Sequence, residues 1–354
     1  MSALNAELER LRACADPKML TYAGQGPFGT AVLRSTPEDF QVREHLGLEF
    51  KGAGEHLYLR VSKVGQNTRW IARRLAELSH LPYKAVSFAG MKDRHAVAEQ
   101  WFSLHIPNRA QPDWVEEPQE EFTVLDSVWH DRKLRTGQLS YNFFQLRLRN
   151  CEVTDRPALE QRIVALATEG VPNYFGPQRF GHDQGNLFLA ANPERSLQMS
   201  RADRALMLSA LRSALFNGAL NERIQAGFWL AGQTDDVLMS DRPRGVADDD
   251  KSLFTAERSA AGLMFGSLRN AAAGQLAQVE QDYLDSFPAV RAFLQAAGSQ
   301  SSRRAYRARI AALKWSWQED DLLLEFALGP GSYATMVVRE LFEVTDAGRG
   351  GNTI

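Results

Sequence analysis

The amino-acid sequence predicts an α+β protein in which a helical segment interrupts a β-rich one. Strand patterns separated by turns fill residues 27–150, and helical periodicity dominates from about residue 155 to 298. Strand patterns then return after residue 308. Two late strands cannot form a stable sheet by themselves, so we expect them to join the sheet of the first part. The helical middle is therefore predicted to be an insertion.

The first part of the chain contains five segments that alternate or run with β-branched and aromatic residues, as strands do. They read TAVLRS (30–35), HLYLRVSKV (56–64), WFSLHI (101–106), FTVLDSV (122–128) and NFFQLRLR (142–149). One helix is expected among them, beginning after an N-cap at Asn67 or Thr68. Its apolar face would carry Trp70, Ile71 and Leu75.

The helical middle begins after Thr154 or Asp155, both of which are good N-cap residues, and includes a long apolar-periodic run over residues 202–226. The late strands are LKWSW and LLLEFAL, within residues 313–328, and a short helix over residues 332–342 follows them.

Gly170 and the polar segment 298–302 are the candidate boundaries of the insertion. We therefore predict a discontinuous first domain, residues 1–169 and 308–354, and an insertion domain, residues 170–307.

Composition narrows the class of protein. No stretch of 18 or more apolar residues occurs, and the N-terminus lacks the apolar core of a signal peptide, so we expect a cytoplasmic protein without a membrane partner. Cys14 and Cys151 are isolated, which suggests neither a disulfide framework nor a metal site. The motifs of P-loop, zincin, hydrolase-elbow and zinc-deaminase enzymes are absent from the sequence.

The net charge does not by itself indicate a nucleic-acid binder, because 41 Lys plus Arg residues face 43 Asp plus Glu residues. The basic residues are clustered, however, which allows a basic groove. The clusters are Arg69/Arg73/Arg74, Arg132/Lys133/Arg135 and Arg303/Arg304/Arg307/Arg309. A solvated helix face is the alternative interpretation of each cluster.

The segment SFAGMKDRHAVAEQWFS, residues 87–103, presents Lys92, Asp93 and Arg94 together between a short apolar run and a strand. A carboxylate between two cations has its charged form stabilised, which keeps it available as a nucleophile at neutral pH. Taken alone, a Lys-Asp-Arg tripeptide is more often a charged surface turn.

The surrounding residues change that assessment, because the segment resembles the catalytic motif GxKDxxAxTxQ of the TruD family of tRNA pseudouridine synthases. Glu99 stands where the family usually has Thr. Four further family-like blocks occur in the expected order: TPEDFQVRE (36–44), the NxF pattern Asn142-Phe143-Phe144, VPNYFGPQRFGHDQGNL (171–187) and GSYATMVVREL (331–341). The five blocks span nearly the whole chain.

The resemblance implies the pseudouridine synthase fold, a mixed or antiparallel sheet interrupted by a largely helical TRUD-type insertion that starts near Gly170. It also implies an isomerase that breaks the N-glycosidic bond of a uridine in tRNA, rotates the base and rejoins it through C5. The family points to uridine-13 of the D-arm. No cofactor or metal is expected, since nothing is oxidised, reduced or hydrolysed, and nothing argues against a monomer.

Asp93 is the residue that the resemblance identifies as catalytic. The sequence leaves its role open: it could attack the sugar or the base, or it could deprotonate the sugar. Arg34 matches a basic position of the family, and we hypothesise that it pairs with the Asp93 carboxylate. Lys92 and Arg94 are the alternatives for that pairing.

Four residues line up with base-contacting positions of the family, namely Phe40, Asn142, Phe144 and Tyr333. An aromatic ring can stack on an extruded uracil, and Asn offers a donor and an acceptor to its polar edge. Core packing is the alternative for each ring. Because a uridine in a folded tRNA arm must be flipped out, basic residues are expected to hold nearby phosphates. Arg179, Lys92 and the basic clusters are the candidates.

A non-enzymatic function is the main rival hypothesis: an RNA-binding protein or tRNA folding chaperone on which modification is secondary or lost. The presence of Asp93 argues against loss of activity. Action on an RNA other than tRNA is a third possibility that the residues leave open.

Overall fold

A computed structural model describes residues 3–107, 110, 112–116, 119–191, 199–230, 235–240, 254, 257–266, 274–350 and 352–353 of the 354-residue chain. The described helices are α1 Ala3–Ala15, α2 Thr68–Leu78, α3 Arg156–Glu169, α4 Gly185–Phe188, α5 Arg201–Gln225, α6 Gly274–Asp285, α7 Pro288–Ala296 and α8 Ala334–Arg339.

The described strands fall into three sheets. In chain order they are β1 Gly29–Leu33, β2 Phe40–His45, β3 His56–Val64, β4 Val86–Phe88, β5 Val97–His105, β6 Phe122–His130, β7 Tyr141–Val153, β8 Val171–Pro172, β9 Leu238–Ser240, β10 Arg258–Met264, β11 Ser302–Ala305, β12 Arg307–Ala308, β13 Ile310–Gln318, β14 Asp321–Leu328, β15 Glu343–Asp346 and β16 Asn352–Thr353.

Two helices begin where the sequence predicts. The Asn67 side chain accepts a hydrogen bond from the Trp70 backbone N–H at 2.8 Å, which caps α2. Asp155 caps α3 through the Ala158 N–H at 3.0 Å. In α2 the apolar face is buried against the sheet, with Ile71 and neighbouring residues in one core cluster.

The large sheet is mixed and centres on the 13-residue strand β7. One edge of β7 pairs with β2 and then with β1, and its other edge pairs with β14, which in turn pairs with β13. Beyond β2 the order is β5, β3 and β6. The pairs β1–β15 and β2–β5 are parallel.

The expected return of the late strands is confirmed, because β14 runs antiparallel to β7 over residues 322–328. Leu324 and Phe326 from β14 then share a core cluster with Leu146 and Phe144 from β7. The sheet therefore contains chain from both sides of the helical segment, and it carries the α+β architecture that the patterns predict.

The helical segment has its own core, which is built mainly on α5, the helix with residues such as Leu211 and Leu215 fully buried. Helix α1 packs in this core through Leu8 and Leu11, although the predicted boundary places residues 1–169 in the first domain. A three-stranded sheet of β9, β10 and β11 also lies here, and the sequence patterns did not predict it. The division at residues 169/170 and 307/308 stays a prediction.

Within the described residues, no helix combines the length and the apolar character that crossing a membrane requires.

The passage from α3 into the insertion depends on Gly170. Its φ of 70° and ψ of −159° belong to a region that glycine alone occupies readily, and an added Cβ would lie 2.4 Å from the Ala308 carbonyl oxygen. This close approach lets β8 pair with β12 at the junction.

We expect Gly170→Ala to lower the free energy of unfolding by about 2 kcal/mol or more, since backbone strain and a steric clash add. Gly298→Ala is the matched control, because Gly298 also has a positive φ of 68° but open space around its Cβ position. Urea unfolding of both variants tests this. Equal losses would show that the clash at residue 170 is relieved without cost.

Candidate active site

Three distant chain segments meet at the candidate site. Arg34 follows directly after β1, Asp93 lies in the loop between β4 and β5, and Asp346 ends β15. The parallel pairing of β1 with β15 sets Leu33 opposite Asp346, so the next residue, Arg34, is brought beside that carboxylate. The site therefore needs chain from before and after the helical segment.

Arg34 lies between the two carboxylates. Its Nη1 donates to Asp93 Oδ2 at 2.5 Å, its Nε donates to Asp346 Oδ1 at 2.9 Å, and its Nη2 donates to Asp346 Oδ2. The Arg34 side chain is 1% exposed, whereas that of Asp93 is 23% exposed. Burial opposes the charge of Arg34, but the hydrogen bond to Asp346 and the charge of Asp93 outweigh it, so the pKa of Arg34 is raised above its ordinary value.

The backbone of Arg34 is also unusual. Its φ of 59° is in the left-handed region, which non-glycine residues enter at a cost of about 1 kcal/mol or more. The strand β1 ends at this conformation, and the Arg34 side chain is directed towards Asp93 and Asp346.

The loop that carries Asp93 is anchored along its length. Gly90 O accepts from Gln100 Nε2 at 2.6 Å, Lys92 N donates to Thr68 Oγ1 at 2.9 Å, and Asp93 O accepts from Lys63 Nζ at 3.1 Å. Asp93 Oδ1 accepts from the His95 backbone N–H at 3.2 Å. A loop held in this way presents its carboxylate in a fixed position, which is the preorganisation that catalysis requires.

The other basic residues of the Lys-Asp-Arg motif have different partners. Lys92 Nζ donates to Glu44 Oε1 at 2.7 Å, and this pair is almost fully buried. Glu44 Oε2 in turn accepts from the Trp101 N–H at 3.0 Å. Arg94 Nε donates to the Gly65 carbonyl at 2.8 Å. Arg34 is thus the basic residue, among the three considered, for which the structure shows contact with the Asp93 carboxylate.

The aromatic candidates lie against the sheet beside Arg34. The Arg34 guanidinium stands 4.9 Å from the Phe40 ring centroid, and Phe40 meets the Phe144 ring edge-on at 6.0 Å. Phe144 stacks on Phe326 at 5.5 Å. Phe40 and Phe144 are both buried in the core cluster of the large sheet.

Asn142 lies on the same face of β7 as Phe144, two residues away, and opposite Glu44 of β2. Its Oδ1 is buried and, among the described residues, accepts no hydrogen bond. A buried acceptor without a donor is uncommon in a folded protein. The hydrogen-bonding capacity of this oxygen is therefore unused among the described residues.

Tyr333 and Arg179 form a second group, at the start of α8 and in the short 3₁₀ helix Pro177–Arg179. The Tyr333 ring contacts the Phe175 ring at 6.1 Å, and the Arg179 guanidinium is 5.2 Å from the same ring. Arg304 covers Phe175 at 4.0 Å. Strand β14 connects the two groups of candidates. Its residue Leu328 pairs with Asn142, and Tyr333 follows Leu328 by five residues in the chain.

A cavity of about 680 Å³ lies beside this second group, lined by residues from both parts of the chain. Arg303, Arg304, Arg307 and Arg309 line it, and no Asp or Glu is among its described lining residues. Asp93 does not line it either, although its wall residue Leu139 would meet a Cβ added at Gly90 at 4.0 Å.

The four cavity arginines lie on or beside β11 and β12, so the alternative of a helix face is wrong for this cluster. Arg303 forms a paired ion contact with Glu280, and Arg309 contacts Glu257. Arg304 instead donates to Asn173 and to the Gly331 carbonyl, which are neutral. Burial lowers the pKa of Arg304 to about 10.

The family-like motifs did not point to three residues that support the Asp93 loop and Arg34, namely Asp346, Glu44 and Lys63. Glu44 does lie within the block TPEDFQVRE, so its position could have been noticed there, and Lys63 falls on the apolar face of the alternating segment HLYLRVSKV, whereas Asp346 has no local signal. No group of three or more potential metal-ligating side chains occurs among the residues that the structure describes.

The fold is that of the pseudouridine synthases. The structure superposes on the crystal structure of the TruD protein from Methanosarcina mazei with a TM-score of 0.66, over 93% of this chain and 97% of that one. The two sequences are 20% identical, so this match supports the fold alone.

Sequence comparison identifies the family. The profile of tRNA pseudouridine synthase D (TruD) matches residues 18–193 and 194–341. The tRNA pseudouridine synthase D of Xanthomonas oryzae is 42% identical over 90% of this chain and 93% of its own length, and that of Azotobacter vinelandii is 43% identical over the same shares. The chain belongs to the TruD family.

We expect Asp346→Asn to lower the free energy of unfolding by about 3 kcal/mol or more, because Arg34 would keep a buried charge without its fully buried counter-ion. Asp131→Asn is the control, since Asp131 pairs with Lys51 at the exposed surface and its loss should change little. Urea unfolding gives both values. Similar small losses for the two variants would contradict a structural role for the Arg34–Asp346 pair.

Proposed function

We propose that this chain is a tRNA pseudouridine synthase that isomerises uridine-13 of the D-arm, with Asp93 as its catalytic carboxylate. Membership of the TruD family supports the reaction and the substrate class. The observation that carries the assignment of Asp93 is its ionic contact with Arg34 on an anchored, partly exposed loop.

The chemistry requires few groups. The N1–C1′ bond breaks, a C5–C1′ bond forms, the C5 hydrogen leaves to solvent and N1 takes up a proton, so the product is an isomer of the substrate. No oxidant, reductant or water is consumed. Asp93 can attack the sugar or the base, or remove a sugar proton, and each role needs an ionised carboxylate. The Arg34 guanidinium favours that form because it lies at hydrogen-bond distance.

Base recognition is proposed for Phe40, Asn142, Phe144 and Tyr333. A flipped uracil presents an N3–H donor, and Asn142 Oδ1, which has no donor among the described residues, is an acceptor that matches it. The rings of Phe40 and Phe144 contact each other on this face of the sheet and would stack on or pack against the uracil ring. Tyr333 would approach from the insertion side, where it already contacts Phe175.

The phosphate backbone of the tRNA is proposed to lie along the arginine-lined cavity. Arg304 is the strongest candidate there, because its described partners are neutral and its charge is therefore available to a phosphate. The Arg179 guanidinium also lies near the Phe175 ring, 5.2 Å from its centroid, and would act with Arg304. Lys92 is proposed to bind the substrate next to Asp93, although its ammonium is paired with Glu44.

The same proposal divides the chain into a catalytic domain, residues 1–169 and 308–354, and an insertion domain, residues 170–307. It places the protein in the cytoplasm, where tRNA is available, as a monomer that needs no cofactor.

Asp93→Asn should abolish isomerisation, with a rate at least about a hundredfold below that of the unaltered protein, because the amide can act neither as nucleophile nor as base. The measurement is the release of tritium from tRNA labelled at uridine C5, which binding alone cannot cause. Asp320→Asn, at an exposed turn, is the control and should stay fully active. A second tRNA with cytidine at position 13 should release no tritium above background.

Normal activity of a folded Asp93→Asn protein would exclude Asp93 as the catalytic group. Undiminished tritium release from the position-13 variant would instead place the modified uridine elsewhere. Binding of tRNA without any release, by the unaltered protein, would favour the chaperone hypothesis.

Arg304→Met should weaken tRNA binding and reduce the slope of log K against log salt by about one, since one phosphate contact would be lost. Arg304→Lys keeps the charge and should retain most of that slope. Arg156→Met, on the exposed side of α3, serves as the control for general charge loss. An unchanged slope in Arg304→Met, measured by filter binding between about 50 and 200 mM salt, would remove Arg304 from the RNA interface.

A further inference from the structure

A buried lysine stands directly behind the Asp93 loop. Lys63, near the end of β3, is 1% exposed, and its ammonium donates to two backbone carbonyls, Gln66 O at 2.7 Å and Asp93 O at 3.1 Å. The residues opposite it on the neighbouring strands, Ala98 and Phe122, are uncharged and buried. Lysine is rarely buried this completely, because its charge loses solvation.

Burial has a measurable consequence for this group. Desolvation lowers the pKa of Lys63 to about 8, although the charge of Asp93 acts to raise it, and the charge of Lys92 adds to the lowering. Asp93 and Lys92 both belong to the loop between β4 and β5, and within the part of the chain that the structure describes they are the charged groups that act on Lys63. An apolar side chain of similar length would fill the same space without losing solvation.

When Lys63 is counted, the site contains as many cations as carboxylates among its described residues. Arg34 lies against Asp346, and Lys92 lies against Glu44, each pair with its carboxylate fully buried. Asp93 is the third carboxylate and Lys63 the third cation, within Coulomb range of each other. The Lys63 ammonium donates to the backbone oxygen of Asp93, so it can hold the backbone of that residue in place. The Asp93 carboxylate remains directed towards Arg34 and the exposed side.

We propose that Lys63 is a positioning residue for isomerisation: its ammonium holds the Asp93 backbone so that the carboxylate stays aligned with Arg34 and with the sugar of the flipped uridine. This inference rests on the proposed function. Lys63 touches neither substrate nor reacting atoms in this arrangement, and it acts through Asp93. Its loss would let the carboxylate shift, and a displacement of about 1 Å is enough to cost up to about a hundredfold in rate.

The test compares Lys63→Met with the unaltered protein in steady-state tritium release over a range of tRNA concentrations. We expect kcat to fall about tenfold to a hundredfold, with KM little changed, because tRNA is bound by residues elsewhere. Lys63→Arg retains a cation that can donate to both carbonyls and should recover part of the rate. Lys314→Met, which removes an exposed lysine from β13, is the matched control and should behave as the unaltered protein.

The pH profile separates this role from simple packing. Since Lys63 is charged below its pKa of about 8, the unaltered protein should lose rate as the pH rises through that value. Lys63→Met has no such group, so its lower rate should be flat over the same interval. Ionisation of uracil N3 at higher pH affects both proteins alike.

Several results would overturn the inference. One is a Lys63→Met protein with unaltered kcat, and another is an alkaline decline that persists unchanged in that variant. Should the variant fail to fold, as judged by urea unfolding, the unaltered protein still decides: a constant rate from pH 7 to about 9, beyond the expected transition, contradicts the role. An unaltered protein that releases no tritium refutes the proposed function and this inference together.

Discussion

A single buried guanidinium organises the candidate site. Arg34 bonds to Asp93 on one side and to Asp346 on the other, and these residues lie 59 and 312 positions away in the chain. Removing these charged groups from water costs free energy, which the hydrogen bonds among them must offset. The arrangement therefore fixes the positions of the side chains more than it stabilises the fold. It forms only when β15 lies parallel to β1. The return of the chain to the first sheet after the helical segment is therefore a requirement of the site.

Charge balance explains why so many ionisable groups can be buried around one carboxylate. Each cation of the site has a carboxylate within reach, and the uracil base that would enter is neutral, so no net charge has to be added or removed when it is bound. The exposed fraction is concentrated on Asp93, at 23%, while the side chains of its supporting residues Arg34 and Asp346 are nearly inaccessible. Rigid support with one accessible carboxylate is the arrangement expected of a preorganised catalytic group.

The sequence predicted the parts of this molecule that have local signals. The strands with clear alternation, the N-caps Asn67 and Asp155 and the contact between Arg34 and Asp93 are all present in the structure. Asp346 was missed because its role depends on a pairing between strands more than 300 residues apart. Lys63 was missed because lysine is rarely buried, although the alternation of HLYLRVSKV places it on the same strand face as the buried Leu59 and Val61. The backbone carbonyls of Gln66 and Asp93 accept hydrogen bonds from its ammonium there.

The helical segment and its junction with the late strands contribute the arginines that line the cavity. Arg303 has its own buried acid in Glu280, as expected of a residue that stabilises the fold, whereas Arg304 is held by the neutral groups of Asn173 and Gly331. Gly331 belongs to the connection between β14 and α8, so Arg304 joins the insertion to the catalytic sheet at the edge of the cavity. A cation that has no carboxylate partner among the described residues is costly in the unbound protein. An incoming phosphate would supply the missing charge at the junction itself, which would couple RNA binding to the relative placement of the two parts.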